Sequence, residues 1–206
     1  IQDESAGLVG DLLAPKPGET VIDLCAAPGG KSLHAAEHMN NQGRIIAVDR
    51  YENRLKLVAT AAERIGASIV EIMEGDATEI ELEPADKVLV DAPCSGLGTL
   101  SKKPDIKWKR DSEDIRNLNA TQKNILDHAA SLVRPGGVLV YSTCTVEPEE
   151  NQDIVHAFLM DHPEFEIEHA EAYLPSRVLD RHGFLATYPH RHRMDGAFGA
   201  RLLRKQ

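Results

Sequence analysis

The chain has 206 residues, 42% of them hydrophobic, and a formal net charge of −10, which suits one domain with a full core and disfavours a surface built throughout for nucleic-acid phosphate. Three cysteines cannot all pair, no run approaches the ~18 apolar residues of a membrane span, and no signal-like stretch opens the sequence, so a reduced, cytoplasmic protein without membrane contact is expected. Charge is unevenly spread: 63–86 and 147–171 are acidic, whereas 101–110 and 181–205 form two basic lips.

In chain order, the opening residues IQDESAGLVGDLL begin in mid-pattern, and 1–19 read as a lead-in. TVIDLC (20–25) is the first buried strand, followed past a glycine pair by the helix KSLHAAEHM. RIIAVD (44–49) is the second strand. ENRLKLVATAAERIG forms a helix with Leu55, Val58, Ala59 and Ala62 on one face, and SIVEIMEGD (68–76) supplies a third strand. KVLVDAP (87–93) is the fourth. Ser112, as N-cap before Glu113 and Asp114, starts a long helix whose stripe Ile115, Leu118, Gln122, Ile125, Leu126, Ala129 and Val133 runs to RPGG. GVLVYSTC (137–144) is the fifth strand. Pro148 with Glu149 and Glu150 opens a helix that turns Ile154, Val155, Phe158 and Leu159 inward, and FEIEHA and GAFGARLLRK finish as edge strands. Apolar strands alternating with helices predict an α/β fold, a doubly wound, mostly parallel sheet of seven strands in a single domain over 1–206. Such sheets bind ligands beyond the carboxyl ends of their strands.

The first strand ends in DLCAAPGGKS, where Gly29 and Gly30 let the backbone turn tightly and approach a ligand, and the following helix offers free N–H groups to a carboxylate or phosphate. Neither the dinucleotide nor the phosphate-loop pattern is satisfied, because each needs a glycine further upstream. A tight turn that binds nothing is the plain alternative. Asp49, ending the second strand, can accept from both hydroxyls of a ribose or cap the next helix. Asp76, after the third, can cap a turn or accept from an adenine amino group. Together these point to a nucleoside cofactor with an amino-acid end, and S-adenosylmethionine fits. Cys94 and Cys144 each follow an apolar strand, in DAPCSG and YSTCTV.

DLCAAPGGKS, AVDR, GDAT, DAPCSGLGTL, KPDIKW and YSTCTVEPEEN, in this order and spacing, resemble the RNA cytosine-5 methyltransferases of the NOL1/NOP2/Sun family, and within it the bacterial RsmB (Sun, Fmu) group that modifies small-subunit ribosomal RNA. The likeness runs from QDESAG at 2–7 to DGAFGARLLRK at 195–205. Ser32 stands where Thr is commoner, SKKPDIKW where an arginine-richer stretch is, and DGAFGA where a bulkier aromatic pair is usual. The resemblance implies a Rossmann-like class I methyltransferase that binds S-adenosylmethionine and makes 5-methylcytosine in RNA, expected to be ribosomal, as a monomer without a metal. It also implies an all-helical RNA-binding domain upstream, similar to the NusB antitermination factor, from which these residues would have been cut. The cofactor would be held by the backbone of Cys25, Ala26, Ala27, Pro28, Gly29, Gly30 and Lys31 and by Asp49, Asp76 and Asp91, helped by Arg54.

Carbon 5 of cytosine is too poor a nucleophile to attack a sulfonium methyl unaided, but a thiolate added at carbon 6 turns the ring into an enamine that can. Cysteine suits the task because its thiolate forms near neutral pH and leaves readily. The residues alone do not say which cysteine attacks. DNA cytosine-5 methyltransferases use the Pro-Cys cysteine, which nominates Cys94, whereas the RNA family uses the Thr-Cys cysteine. The resemblance therefore makes Cys144 the nucleophile and Cys94 the assistant in product release, with Asp91 hydrogen-bonding or protonating the N3 edge of the ring. Lys102, Lys103, Lys107, Lys109 and Arg110 around Trp108, with His190, Arg191 and Arg193 in the tail, would meet RNA.

Each assignment has a plain rival. Strand-end cysteines are often packing residues, and the Cys25 side chain is read that way. Lys31 can be a surface residue at a helix start. Trp108 can stack on a base or anchor its loop in the core. The acidic run EPEENQD is read as a solvated helix start, a Cys94–Cys144 disulfide is disfavoured in a reducing compartment, and the tail histidines lack the partners of a metal site. Activity on tRNA or DNA, or a cofactor-binding RNA scaffold, are the alternative functions.

Overall fold

The computed structural model describes residues 2–206. The apolar runs become strands β1 (Thr20–Asp23), β2 (Arg44–Asp49), β3 (Val70–Glu74), β4 (Ala85–Asp91) and β5 (Val133–Thr143), all parallel. The chain continues through β6 (Phe165–Ile167), β7 (Leu185–Thr187) and β8 (Ala197–Arg204). All eight strands make one sheet in the order β3-β2-β1-β4-β5-β8-β6, with β7 also pairing β8. The doubly wound arrangement is as expected, with one strand more, because LAT in the tail pairs beside AFG of β8.

Helices α1 (Glu4–Leu13) and α2 (Gly30–His38) cover one face of the sheet through Val9, Leu12, Ala35 and Met39, and α3 (Glu52–Ile65) joins them through Ala62. On the other face lie α4 (Ser112–Ser131) and α5 (Gln152–Asp161), which bury Ile125, Leu126, Ile154, Val155 and Phe158. Strands covered on both faces can be apolar at every position, which is why period 2 is absent from them.

Several boundaries differ from expectation, each for a local reason. The N-cap of α4 is Asp111, not Ser112: its carboxylate accepts from the Glu113 and Asp114 N–H groups, and Asp114 bonds back to the Asp111 N–H. That helix stops at Ser131, so Val133 and RPGG belong to β5, whose register against β4 shifts between Ala85 and Lys87. Pro148–Glu150 is a separate 3-10 turn, and α5 starts at Gln152. GAFGARLLRK is not an edge, because β8 lies between β5 and β6, antiparallel to both. The lead-in is not a bare segment: its helix α1 is capped by Asp3 and packs on α2 and β8. Burial would raise the Asp3 carboxyl, but the Lys102 ammonium, Ser5 and the Asp195 N–H all bond its anion and hold it at about 2.

Arg201 explains how a charge sits in the middle of β8. Its side chain is 5% exposed; Nη1 donates to the Leu12 and Leu13 carbonyls at the end of α1, Nε donates to Glu168, and the guanidinium lies 4.1 Å from the Tyr173 ring centroid. It closes the helix end and stitches the first helix to the last strand. Among the described residues no helix is long and apolar enough to cross a membrane. Arg201→Met, which keeps the unbranched stem and removes the donors, is expected to cost about 2–4 kcal/mol in urea unfolding by leaving two buried carbonyls without donors and Glu168 with the Tyr173 hydroxyl but no cation.

Candidate active site

At the end of β1, the backbone turns through residues 24–29 into α2. Gly29 adopts φ 104°, and a Cβ there would lie 3.1 Å from Val58, so only glycine lets the turn press against α3. Asp23 lies beneath it, fully buried: Oδ2 accepts from Ser32 Oγ at 2.6 Å, and Oδ1 has no partner. Burial pushes its carboxyl up to about 6. Ser32 therefore makes the bond that a threonine hydroxyl would make. Lys31 is not a surface residue, since its side chain is 15% exposed and Nζ meets Asp91 Oδ2 at 2.7 Å. Cys25 packs against the core, and burial raises its thiol out of the reactive range.

Asp49, at the end of β2, is 3% exposed. Its carboxylate accepts from the Ala27 N–H (3.3 Å) and the Tyr51 N–H (3.1 Å) and pairs with Arg54 Nη1 at 3.0 Å, while Arg54 Nη2 donates to the Ala27 carbonyl at 2.6 Å. Asp49 is not the N-cap of α3, a position taken by Tyr51. Arg54 ties the first turn to the second strand end. Asp76 caps its own turn through Thr78 and pairs with Arg50 at 2.6 Å. All three acids, Asp49, Asp76 and Asp91, face one cavity of about 570 Å³ whose wall also includes Cys94 and Cys144.

β4 and β5 run side by side with Asp91 opposite Ser142, whose Oγ donates to Asp91 Oδ1 at 2.8 Å. The chain beyond each strand delivers one cysteine. The two sulfurs stand 3.3 Å apart as free thiols, and the Cys144 N–H also points at Cys94 Sγ (3.3 Å). The hydrogen bond from Cys94 lowers Cys144 below the usual thiol range, opposed by burial and Asp91 and helped by the Lys31 and Lys103 ammoniums. The same bond, followed by burial, drives Cys94 well above it. Of the two, the exposed Cys144 is the easier to ionise and Cys94 the one that keeps its proton longer.

A buried polar network holds the two loops in place. Glu150 Oε1 accepts from the Ser95 N–H (2.8 Å) and Gln122 Nε2 (3.0 Å), and Oε2 accepts from Ser95 Oγ (2.5 Å). Gln122 also donates to the Pro93 carbonyl, and Tyr141 OH to the Glu150 carbonyl. Asn151 accepts from Thr143 Oγ1 and donates to the Thr145 carbonyl. Cys94 is thus flanked by residues fastened to Glu150, and Cys144 by residues fastened to Asn151. EPEENQD is therefore no solvated run at its centre, for Glu150 is fully buried and Asn151 nearly so. The available signal was Gln122, a polar residue in an otherwise apolar helical stripe.

The basic lips meet beside this site. Gly98 N–H donates to the Cys144 carbonyl (3.0 Å) and Gly196 N–H to the Gly98 carbonyl (2.8 Å), and a Cβ on Gly98 would lie 2.1 Å from Gly196 O. Lys102 is not free, being paired with Asp3 and Asp195. Lys109 pairs with Asp105, Lys107 lies over the Trp108 ring at 5.3 Å, and Arg110 donates weakly to the Ser95 carbonyl. Trp108 is 83% exposed, which removes the core-anchor reading. His190 and Arg191 are exposed on the short helix α6 (Pro189–His192), and Arg193, also exposed, ends it in the left-handed region.

A profile of the family described as 16S rRNA methyltransferase RsmB/F matches residues 11–203. The probable ribosomal RNA small subunit methyltransferase B of Bacillus subtilis is 45% identical over 205 residues, 96% of this chain and 46% of that protein. A Synechocystis protein of the same description is 43% identical over 208 residues, 98% of this chain and 47% of its own length. The chain spans about half the length of the curated relatives it matches. Among solved structures, NSun6 from Pyrococcus horikoshii with SFG aligns at TM-score 0.89 and 33% identity, over 100% of this chain and 53% of that one. A methyltransferase homolog protein from the same organism aligns at TM-score 0.84 and 34% identity, over 98% and 67%. The fold is that of Rossmann-like class I methyltransferases.

Alkylation by iodoacetamide is expected to modify Cys144 well before Cys94 or Cys25, at a rate that rises with pH through a midpoint below the ordinary thiol value of ~8.5. Peptide mass mapping across a pH series checks both the order and the midpoint.

Proposed function

The chain belongs to the 16S rRNA methyltransferase RsmB/F family, and from that premise we propose that it is the methyl-transferring part of a ribosomal RNA methyltransferase, acting on carbon 5 of a cytosine through a covalent adduct of Cys144 with carbon 6. The observation that carries the reading is the pair of thiols, 3.3 Å apart, in the wall of the cavity that also holds Asp49 and Asp76. Two cysteines used only for packing would have no reason to share a proton at a cavity wall.

The cavity suits S-adenosylmethionine. Its volume is in the range of small-molecule sites, and it shares Cys25, Ala27 and Asp91 with an adjoining cavity of about 560 Å³ lined by Ala26, Pro28, Gly30 and Lys31 of the turn and by Asp23, whose buried Oδ1 has no partner. The neighbour NSun6 was solved with SFG, an analogue of this cofactor. The backbone of residues 25–31, with Asp49, Asp76 and Asp91, would hold it, and Arg54 would act by fixing Asp49 against Ala27. When bound, the cofactor supplies an electrophilic sulfonium methyl group.

The residues of the chain do the rest. The Cys144 thiolate adds to carbon 6, and the electron pair displaced from the 5,6 double bond makes carbon 5 nucleophilic. The Lys31–Asp91 pair places a proton-bearing cation and a carboxylate beside the thiols, where the N3 edge of the ring gains electron density. After methyl transfer, water takes the proton from carbon 5, the freed electron pair re-forms the 5,6 double bond, and the sulfur of Cys144 leaves carbon 6 with its bonding pair as a thiolate. Cys94, 3.3 Å from the departing sulfur, can return a proton to it and keep it from adding again. The cytosine must be unpaired or extruded to expose carbon 6; Lys103, whose charge acts on Cys144, and the exposed Trp108 five residues on would receive the flanking strand.

With cofactor and substrate RNA, Cys144→Ala is expected to abolish both methylation and adduct formation, whereas Cys94→Ala accumulates a denaturation-resistant protein–RNA complex. Denaturing gels with labelled RNA read the outcome. An adduct with the first variant and none with the second would reverse the two roles.

A further inference from the structure

A second cluster lies between α1 and α2. His34 and His38, four residues apart on α2, project from one side of the helix, and Asp11 in the last turn of α1 faces them. The two Nε2 atoms are 2.8 Å apart, and each lies 3.3 Å from the same carboxylate oxygen, Asp11 Oδ1. We propose that Asp11, His34 and His38 form a binding site for a divalent cation of the zinc type, clamping α1 to α2. The histidines of the tail belong to no such group among the described residues.

Three arguments support the site. First, the donor set is two imidazole nitrogens and one carboxylate oxygen, a combination that favours zinc and its first-row neighbours over calcium or magnesium. Second, the spacing fits: with metal–ligand bonds of ~2.0–2.1 Å, tetrahedral donors lie ~3.3 Å apart. Two of the three edges already have that length, and the His34–His38 edge needs to widen by about half an ångström. Both rings are partly exposed, so the fourth position opens to water. Third, α1 is shaped for the ring that the site needs: a Cβ on Gly10 would lie 2.9 Å from the His34 ring, so glycine there lets the imidazole seat against the helix.

The consequence concerns the first helix. Asp3, the N-cap of α1, carries the bonds to Lys102 and Asp195, and Gln2 lies against Gly30 of the cofactor turn. A cation joining the other end of α1 to α2 would fix both ends of that helix over the turn. It would stabilise the fold without touching the reacting atoms.

Calorimetric titration of the chelator-treated protein with zinc chloride is expected to show saturable binding of about one equivalent, accompanied by a higher Tm. His38→Gln, at a partly exposed position where folding is not at stake, and Asp11→Asn should each weaken binding about tenfold or more. Alkylation of Cys94 and Cys144 should leave it intact. Binding that survives both variants but is lost on alkylation would assign the ion to the thiols and overturn the proposal, as would the absence of saturable heat.

Discussion

A carboxylate buried without a cation would ordinarily be a liability, and Glu150 is such a group: fully buried and bonded by Ser95 and Gln122. Three neutral donors satisfy it, one from the backbone after Cys94, one from the side chain of the same residue and one from α4. Because its own carbonyl takes the Tyr141 hydroxyl from inside β5, the network spans both strand ends. It acts together with the Ser95–Thr145 hydroxyl contact (2.9 Å) and the bond from the Gly98 N–H to the Cys144 carbonyl (3.0 Å), which join the two loops directly. The thiol–thiol bond, and the asymmetry of ionisation that follows from it, depend on the separation of those loops.

Topology brings the parts within reach. β4 and β5 are neighbours and parallel, so their carboxyl ends open on the same side and present Cys94 and Cys144 together. β1 lies on the far side of β4 and carries the glycine turn, from which Lys31 reaches across to Asp91. One ion pair therefore joins the turn to the thiol side of the cavity. The backbone chain Cys144–Gly98–Gly196 ties the segment just before the first basic lip and the second lip to the reactive loop, although they lie nearly a hundred residues apart. Lys103, Lys107 and Trp108 are exposed.

Much of the frame was legible because its residues obey simple rules. Strands buried on both faces read as unbroken apolar runs, and the helices between them show their stripes. The thiols were legible as a pair only through strand order, which the family resemblance implies and which alternation of strands and helices alone does not give. What escaped depended on contacts between distant segments. Glu150 sits between Glu149, which is exposed, and Asn151, which is buried, and only the 3-10 turn decides which acid points inward. β8, read as an edge, lies inside the sheet, and the α1 carbonyls that accept from its Arg201 lie almost the whole chain away. Asp111 and Ser112 are both good caps one residue apart, so propensity could not choose between them; the return bond from Asp114 does.

The central claim is that Cys94 holds a proton that stabilises the thiolate of Cys144. Ultraviolet titration of thiolate absorbance in the native chain and in a Cys94→Ala variant tests it directly, since burial keeps Cys25 out of the accessible range. The lowest midpoint should lie below ~8.5 in the native chain and climb towards it once the donor is gone. A midpoint that stays put, or falls, would mean that the neighbouring sulfur does not set the charge on Cys144.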